Sequence, residues 1–178
     1  MTPDAGTPLI LTLRMDERSQ ERFDHLRELH FPPERNYLRA HLTLFHKLPG
    51  KRETEISAEI REVCREHEPL TLTATGIRFL GRGVAYELSS PELASVRKEL
   101  ARSWEPWLGA QDRQGFKPHV TVQNKVSPER ARALQRELQA TFSPFEVAGI
   151  GLSLWRYLGG PWQPTGNYPF GARPEKAP

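Results

Sequence analysis

Two short segments of this sequence carry residue types that move protons near neutral pH: His41-Leu-Thr-Leu44 and His119-Val-Thr-Val122. Each follows one rule: histidine, apolar, threonine, apolar. Side chains alternate across an extended strand, so imidazole and hydroxyl share one face while the apolar pair points into a core. An ordinary imidazole has a pKa of about 6.5, so one ring can accept a proton while another donates one. The threonine hydroxyls can donate hydrogen bonds to oxygens whose charge grows during reaction. Two such strands meeting at one cavity would assemble a base, an acid and two oxyanion donors. That set suits cleavage of a phosphodiester by water or a hydroxyl, with a bell-shaped pH dependence whose limbs lie near neutrality.

Each motif needs a strand to carry it. Around the first, residues 38–44 alternate, placing Arg39, His41, Thr43 and Phe45 on one face and Leu38, Ala40, Leu42 and Leu44 on the other. Around the second, Lys117 to Val122 reads as a strand, with Gln123 continuing the His119 face. An earlier apolar run, Leu9 to Leu13, reads as a buried strand. Asp16 then caps a helix whose apolar side is Phe23, Leu26 and Leu29. A second helix over about 52–67 buries Ile56, Ile60 and Val63, and strands follow at about 70–80 and 83–89. Ser90-Pro91 and Ser127-Pro128 each combine an N-cap with proline at the first helical position. They open helices that bury Leu93, Val96, Leu100 and Trp104 in one case, and Ala131, Leu134 and Leu138 in the other. A loop over 105–116 and strands near 143–158 complete the pattern, before a stretch rich in glycine, proline and aromatic residues. Each half thus contains a motif strand, then a helix, then further strands, an architectural repeat with little sequence identity.

The composition sets broad limits. A chain of 178 residues can build a real hydrophobic core, and 37% apolar with 26% charged residues fits an ordinary soluble protein. The net charge of +3 is compatible with a polyanionic partner without demanding one. The one cysteine, Cys64, has no partner for an internal disulfide and reads as a small core residue. No apolar segment has bilayer-spanning length, and the N-terminus lacks a secretory pattern. The expectation is a soluble, cytoplasmic, monomeric protein. No HExxH or CxxC occurs, and His25, His30, His46 and His67 lack ligand spacing, so neither a metal nor a cofactor is called for.

Beyond the four motif residues, Arg39 and Lys117 are candidates to hold phosphates, and Phe45 to border a base or ribose. Gln123 shares the His119 face. Tyr157, with Trp155, Arg156 and Trp162, forms a late aromatic segment where a base could stack, although burying a rim of the second lobe is the plainer use. His46 falls on the face opposite His41 and reads as an edge residue.

The segments AHLTLFHKLPG (40–50) and KPHVTVQNKV (117–126) resemble the signatures of the 2H phosphoesterase superfamily, most closely its bacterial RNA 2',3'-cyclic phosphodiesterase, or 2'-5' RNA ligase-like, branch. The resemblance covers roughly residues 8–170. It implies an α+β, bilobal, pseudo-two-fold duplicated fold, with two antiparallel sheets forming a central cleft and helices packed outside. Residues 1–172 would form this one bilobal unit and 173–178 a disordered tail. It also implies hydrolysis of 2',3'-cyclic phosphates on RNA ends or small cyclic nucleotides to 2'-phosphates, with weak reversible 2'-5' joining. His41 would then be the acid toward the 3'-oxygen and His119 the base toward water. Many relatives carry an arginine shortly after the second motif. Here the stretch reads Gln123-Asn124-Lys125, and Lys125 is the candidate stand-in, with a different phosphate geometry. Alternatives at the same site are 2'-5' oligonucleotides, a cyclic phosphate on ADP-ribose, or RNA-end binding without turnover.

Overall fold

The computed structural model describes residues 6–171; the tail assigned to 173–178 lies outside that range. Seven strands and five helices run in the order β1 (Leu9–Met15), α1 (Glu17–His30), β2 (Leu42–Leu48), α2 (Glu53–Glu66), β3 (Leu70–Phe79), β4 (Val84–Ser89), α3 (Pro91–Trp104), α4 (Ala110–Arg113), β5 (His119–Gln123), α5 (Pro128–Thr141), β6 (Phe145–Tyr157) and β7 (Trp162–Pro169). The three caps form as the residue types require. Asp16 accepts from the Ser19 N–H at 3.1 Å, Ser90 from that of Leu93 at 3.1 Å and Ser127 from that of Arg130 at 3.2 Å.

The strands are all antiparallel, ordered β2-β1-β6-β3-β4-β5, with β7 also on β6. β6 explains the two lobes. One edge pairs with β1, while the other is shared: Phe145 to Gly149 pair with β3, and Gly151 to Tyr157 pair with β7. The two expected sheets are therefore joined through one long strand. β7 lies in the stretch rich in glycine, proline and aromatic residues. Its Pro164 and Pro169 are tolerable because it is an edge strand and needs no second ladder.

The end strands β2 and β5 approach each other, which closes the cleft. The helices exchange sides. α1 precedes β2 in sequence but packs on β5, and its fully buried Phe23 meets Tyr86 edge-on at 5.6 Å. α3 precedes β5 but reaches β2, where Trp104 meets Phe45 at 5.1 Å and donates its Nε1–H to Glu59 of α2 at 2.6 Å. Leu29, assigned to the buried side of α1, is 60% exposed; Phe23 and Leu26 carry the packing. Cys64 is buried in the main core, and burial pushes its thiol up to about 12. Among the described residues no helix is long and apolar enough to cross a membrane.

Candidate active site

Strand β2 begins one residue after His41, rather than at residue 38. The backbone of the preceding stretch is claimed by α1. The Ala40 N–H donates to Asp24 Oδ1 at 2.7 Å, and Gln20 Nε2 donates to the Ala40 carbonyl at 2.8 Å. Those side chains replace a ladder partner and set the first motif at the strand's mouth. β5 likewise begins at His119, after Pro118, whose carbonyl accepts from the Leu88 N–H at 3.0 Å.

His41, Thr43, His119 and Thr121 all line one cavity of about 190 Å³, together with Ile10, His46 and Trp162. The two imidazoles are held in the same way. His41 Nδ1 lies 2.9 Å from the Arg39 carbonyl, and His119 Nδ1 lies 2.9 Å from the Lys117 carbonyl. A carbonyl only accepts, so each Nδ1 carries the proton and each neutral ring is left with Nε2 as its basic atom. The Arg78 Nη1 also comes within 3.5 Å of His119 Nδ1. With that nitrogen already donating, the approach is one of charge and not a second hydrogen bond.

Burial pushes the His41 imidazole down to about 4; the Arg39 carbonyl opposes this, while the nearby Arg27, His119 and His46 add to it. His119 is also lowered, chiefly by burial and further by Arg78 and His46, against the Lys117 carbonyl and Glu87. The residues that line the cavity include no carboxylate. Arg27, only 4% exposed on α1, donates to the Thr121 carbonyl at 3.1 Å and to Asn36 Oδ1 at 3.1 Å. Arg97 of α3 has the related part in the other lobe, donating to the Leu44 carbonyl at 3.3 Å while stacked 4.5 Å from the centre of the Phe45 ring. Each motif strand is therefore braced by an arginine from the helix that precedes the other motif.

Two larger spaces flank the central one. On the His41 side a cavity of about 430 Å³ is bordered by Tyr37, Arg39, Trp155 and Trp162. Trp162 lies over His41 with ring centres 4.6 Å apart. On the His119 side a cavity of about 410 Å³ is bordered by Arg78, Arg97, Phe116 and Lys117, and shares Thr43, His46 and His119 with the centre. A roomier hollow of about 510 Å³ at the start of α1 contains none of the motif residues.

Four of the sequence-derived binding candidates are displaced. Phe45 is 0% exposed and packs on Trp104 in the core. The reason is a β-bulge. Thr43 pairs with Thr12 but Phe45 with Leu11, so two residues of β2 oppose one of β1 and the alternation flips. His46 is thereby turned to the Thr43 side and lines the cavity, contrary to its reading as an edge residue. A second bulge does the same in β5. Thr121 pairs with Ala85 and Gln123 with Val84, which leaves Gln123 buried at 4% exposure with its Oε1 unpartnered. Lys125 sits in a left-handed turn (φ 65°) after β5 and Tyr157 ends β6; neither borders the three spaces. Arg39 and Lys117 do border the flanking spaces, and their carbonyls orient the histidines. The Arg39 side chain is paired with Asp24 at 2.9 Å. Arg27, Arg78, Arg97 and Asp112 have no motif around them, and nothing in the linear pattern marks them.

A family model for the 2'-5' RNA ligase superfamily matches residues 15–161, spanning both motifs. No curated protein matches. Among solved structures, E. coli LigT complexed with NADP+ is 20% identical with a TM-score of 0.59, covering 93% of this chain and 99% of that one. TT0787 of Thermus thermophilus is 15% identical with a TM-score of 0.66, covering 92% and 98%. Kluyveromyces marxianus Usb1 with uridine monophosphate is 16% identical with a TM-score of 0.52, covering 92% and 100%. At these identities the likeness is one of fold. With the family match over most of the chain and two His-x-Thr strands facing one cavity, the chain belongs to the 2'-5' RNA ligase superfamily of 2H phosphoesterases.

Proposed function

We propose that the protein is a metal-independent phosphodiesterase that opens 2',3'-cyclic phosphates on RNA ends or nucleotides to 2'-phosphates, with weak reversible 2'-5' joining. The observation that carries this reading is the convergence of two imidazoles and two threonines on one small cavity, each ring presenting the same nitrogen. Solved relatives crystallised with 3'-AMP and with uridine monophosphate support a nucleotide as ligand.

His119 Nε2 takes a proton from water as the water oxygen bonds to phosphorus. The bond from phosphorus to the 3'-oxygen breaks, and that oxygen receives a proton from His41 Nε2, whose charged form the bound phosphoryl anion favours. Thr43 and Thr121 donate to the non-bridging oxygens as their charge grows. The two rings supply both proton transfers, so the step needs no Lewis acid.

Incubation with 2',3'-cyclic nucleotides in excess EDTA tests the reading. Turnover should persist, and His41→Ala or His119→Ala should each lower kcat by about 10²–10⁴-fold. Activity that the chelator abolishes would overturn it. The flanking spaces on both sides of the central cavity favour one second reading, a linear 2'-5' phosphodiester with a nucleoside in each. Product analysis on 2'-5' dinucleotides separates the two.

A further inference from the structure

We propose that His46, held by Asp112, is a third imidazole of this site, which donates through Nε2 to a phosphoryl oxygen of the bound ligand on the His119 side. The proposal rests on the phosphoryl-ligand reading above and adds a binding residue to it.

His46 stands where the central and His119-side cavities meet, and it borders both. The bulge after Thr43 put it there. Its counterpart in the second motif strand, three residues after Thr121, is Asn124, so the duplicated fold provides this imidazole once. Asp112 of α4 is 2% exposed, and its carboxylate collects three donors from β2. Oδ1 accepts from the His46 N–H at 2.8 Å and faces His46 Nδ1 at 3.2 Å, while Oδ2 accepts from the Lys47 N–H at 2.9 Å. Burial alone would raise the Asp112 carboxyl, but these hydrogen bonds outweigh it and hold it below its ordinary value. A carboxylate only accepts, so Nδ1 carries hydrogen and Nε2 is the nitrogen left for a ligand.

The surroundings decide what that nitrogen does. Facing His46 are His41 and His119 from the motif strands, Arg78 from β3, Arg97 from α3, Lys117 ahead of β5 and Asp112 from α4. A phosphoryl anion placed among these groups offers Nε2 an acceptor. The ring takes one proton from solvent, giving Nδ1–H to Asp112 and Nε2–H to the phosphoryl oxygen, a charge-assisted pair. Asp112 is a positioning residue: it sets the ring's tautomer and direction.

Inorganic phosphate, titrated into protein labelled with ¹⁵N-histidine at near-neutral pH, tests this without turnover. On saturation the His46 Nε2 resonance should move to the protonated range. His46→Gln should weaken phosphate binding about tenfold or more, and raise KM for 2',3'-cyclic nucleotides more than it lowers kcat. His46→Lys should restore most of the affinity. In Asp112→Asn the ring should lose its tautomer preference in the same spectra. Unchanged phosphate affinity in His46→Gln, an unprotonated Nε2 at saturation, or no phosphate binding by the native chain would each overturn the proposal. Phosphate binding through His46 without hydrolysis of any cyclic phosphate would sustain it while removing the hydrolase reading. Full hydrolysis with phosphate affinity indifferent to His46 would do the reverse.

Discussion

Both motif histidines donate Nδ1–H to a main-chain carbonyl two residues upstream, so the reactive nitrogen is chosen by the backbone just ahead of each strand. The electrostatic setting then moves the pH optimum. Efficiency at low substrate depends on one protonated and one neutral ring in the free enzyme, and their product peaks between the two pKa values. His41 is lowered to about 4, and His119 also lies below its ordinary value. The kcat/KM profile should therefore be bell-shaped with its maximum below about pH 6.5, more acidic than the residue types alone suggest. A bound phosphoryl anion favours the charged rings, so the kcat profile should sit at higher pH than that of kcat/KM. Paired profiles check this, and a kcat/KM maximum above pH 7 would contradict it. Arg27 is part of the cause. Arg27→Leu removes a buried positive charge, so an NMR titration should find His41 shifted upward. It also leaves the Thr121 carbonyl unpaired, at a cost of about 1–3 kcal/mol in stability.

At the scale of single elements, the strands show what the sequence could and could not tell. The His-x-Thr alternation and the Ser-Pro helix starts are local chemistry, and they were legible because local sterics and capping produce them. The bulges were not. Whether Leu44–Phe45 opposes one residue or two depends on β1, a partner remote in sequence, and no residue type at the bulge announces it. Simple alternation therefore sent Phe45 to the cleft and His46 away from it, the reverse of what the register does. Phe45→Ala decides between the two roles. With Phe45 in the core against Trp104 and Arg97, the variant should lose about 3–5 kcal/mol of stability by denaturant melt. Folded enzyme should keep its KM. A raised KM at unchanged stability would restore the ligand-facing role.

For the molecule as a whole, the exchanged helices bind the halves together. α1 covers β5, α3 reaches β2, and β6 contributes to both lobes. The repeat was visible as an order of elements, but the exchange was not, since amphipathic helices record that a face is buried and not against which sheet. A fragment of residues 1–89 would lack β5, β6 and the α3 surface, and its α1 would lose the strand it chiefly covers. It should show no cooperative thermal transition by circular dichroism, whereas the full chain should melt in one. Two separate transitions in the full chain would mean that the lobes are energetically independent.

The buried thiol of Cys64 has a practical corollary. Held far from ionisation inside the core, it should ignore maleimide dyes under native conditions, so fluorophores can be attached to engineered cysteines without first removing it. A donor on the Trp162 rim and an acceptor beside Lys117 would then report, molecule by molecule, whether the two walls draw together around a nucleotide.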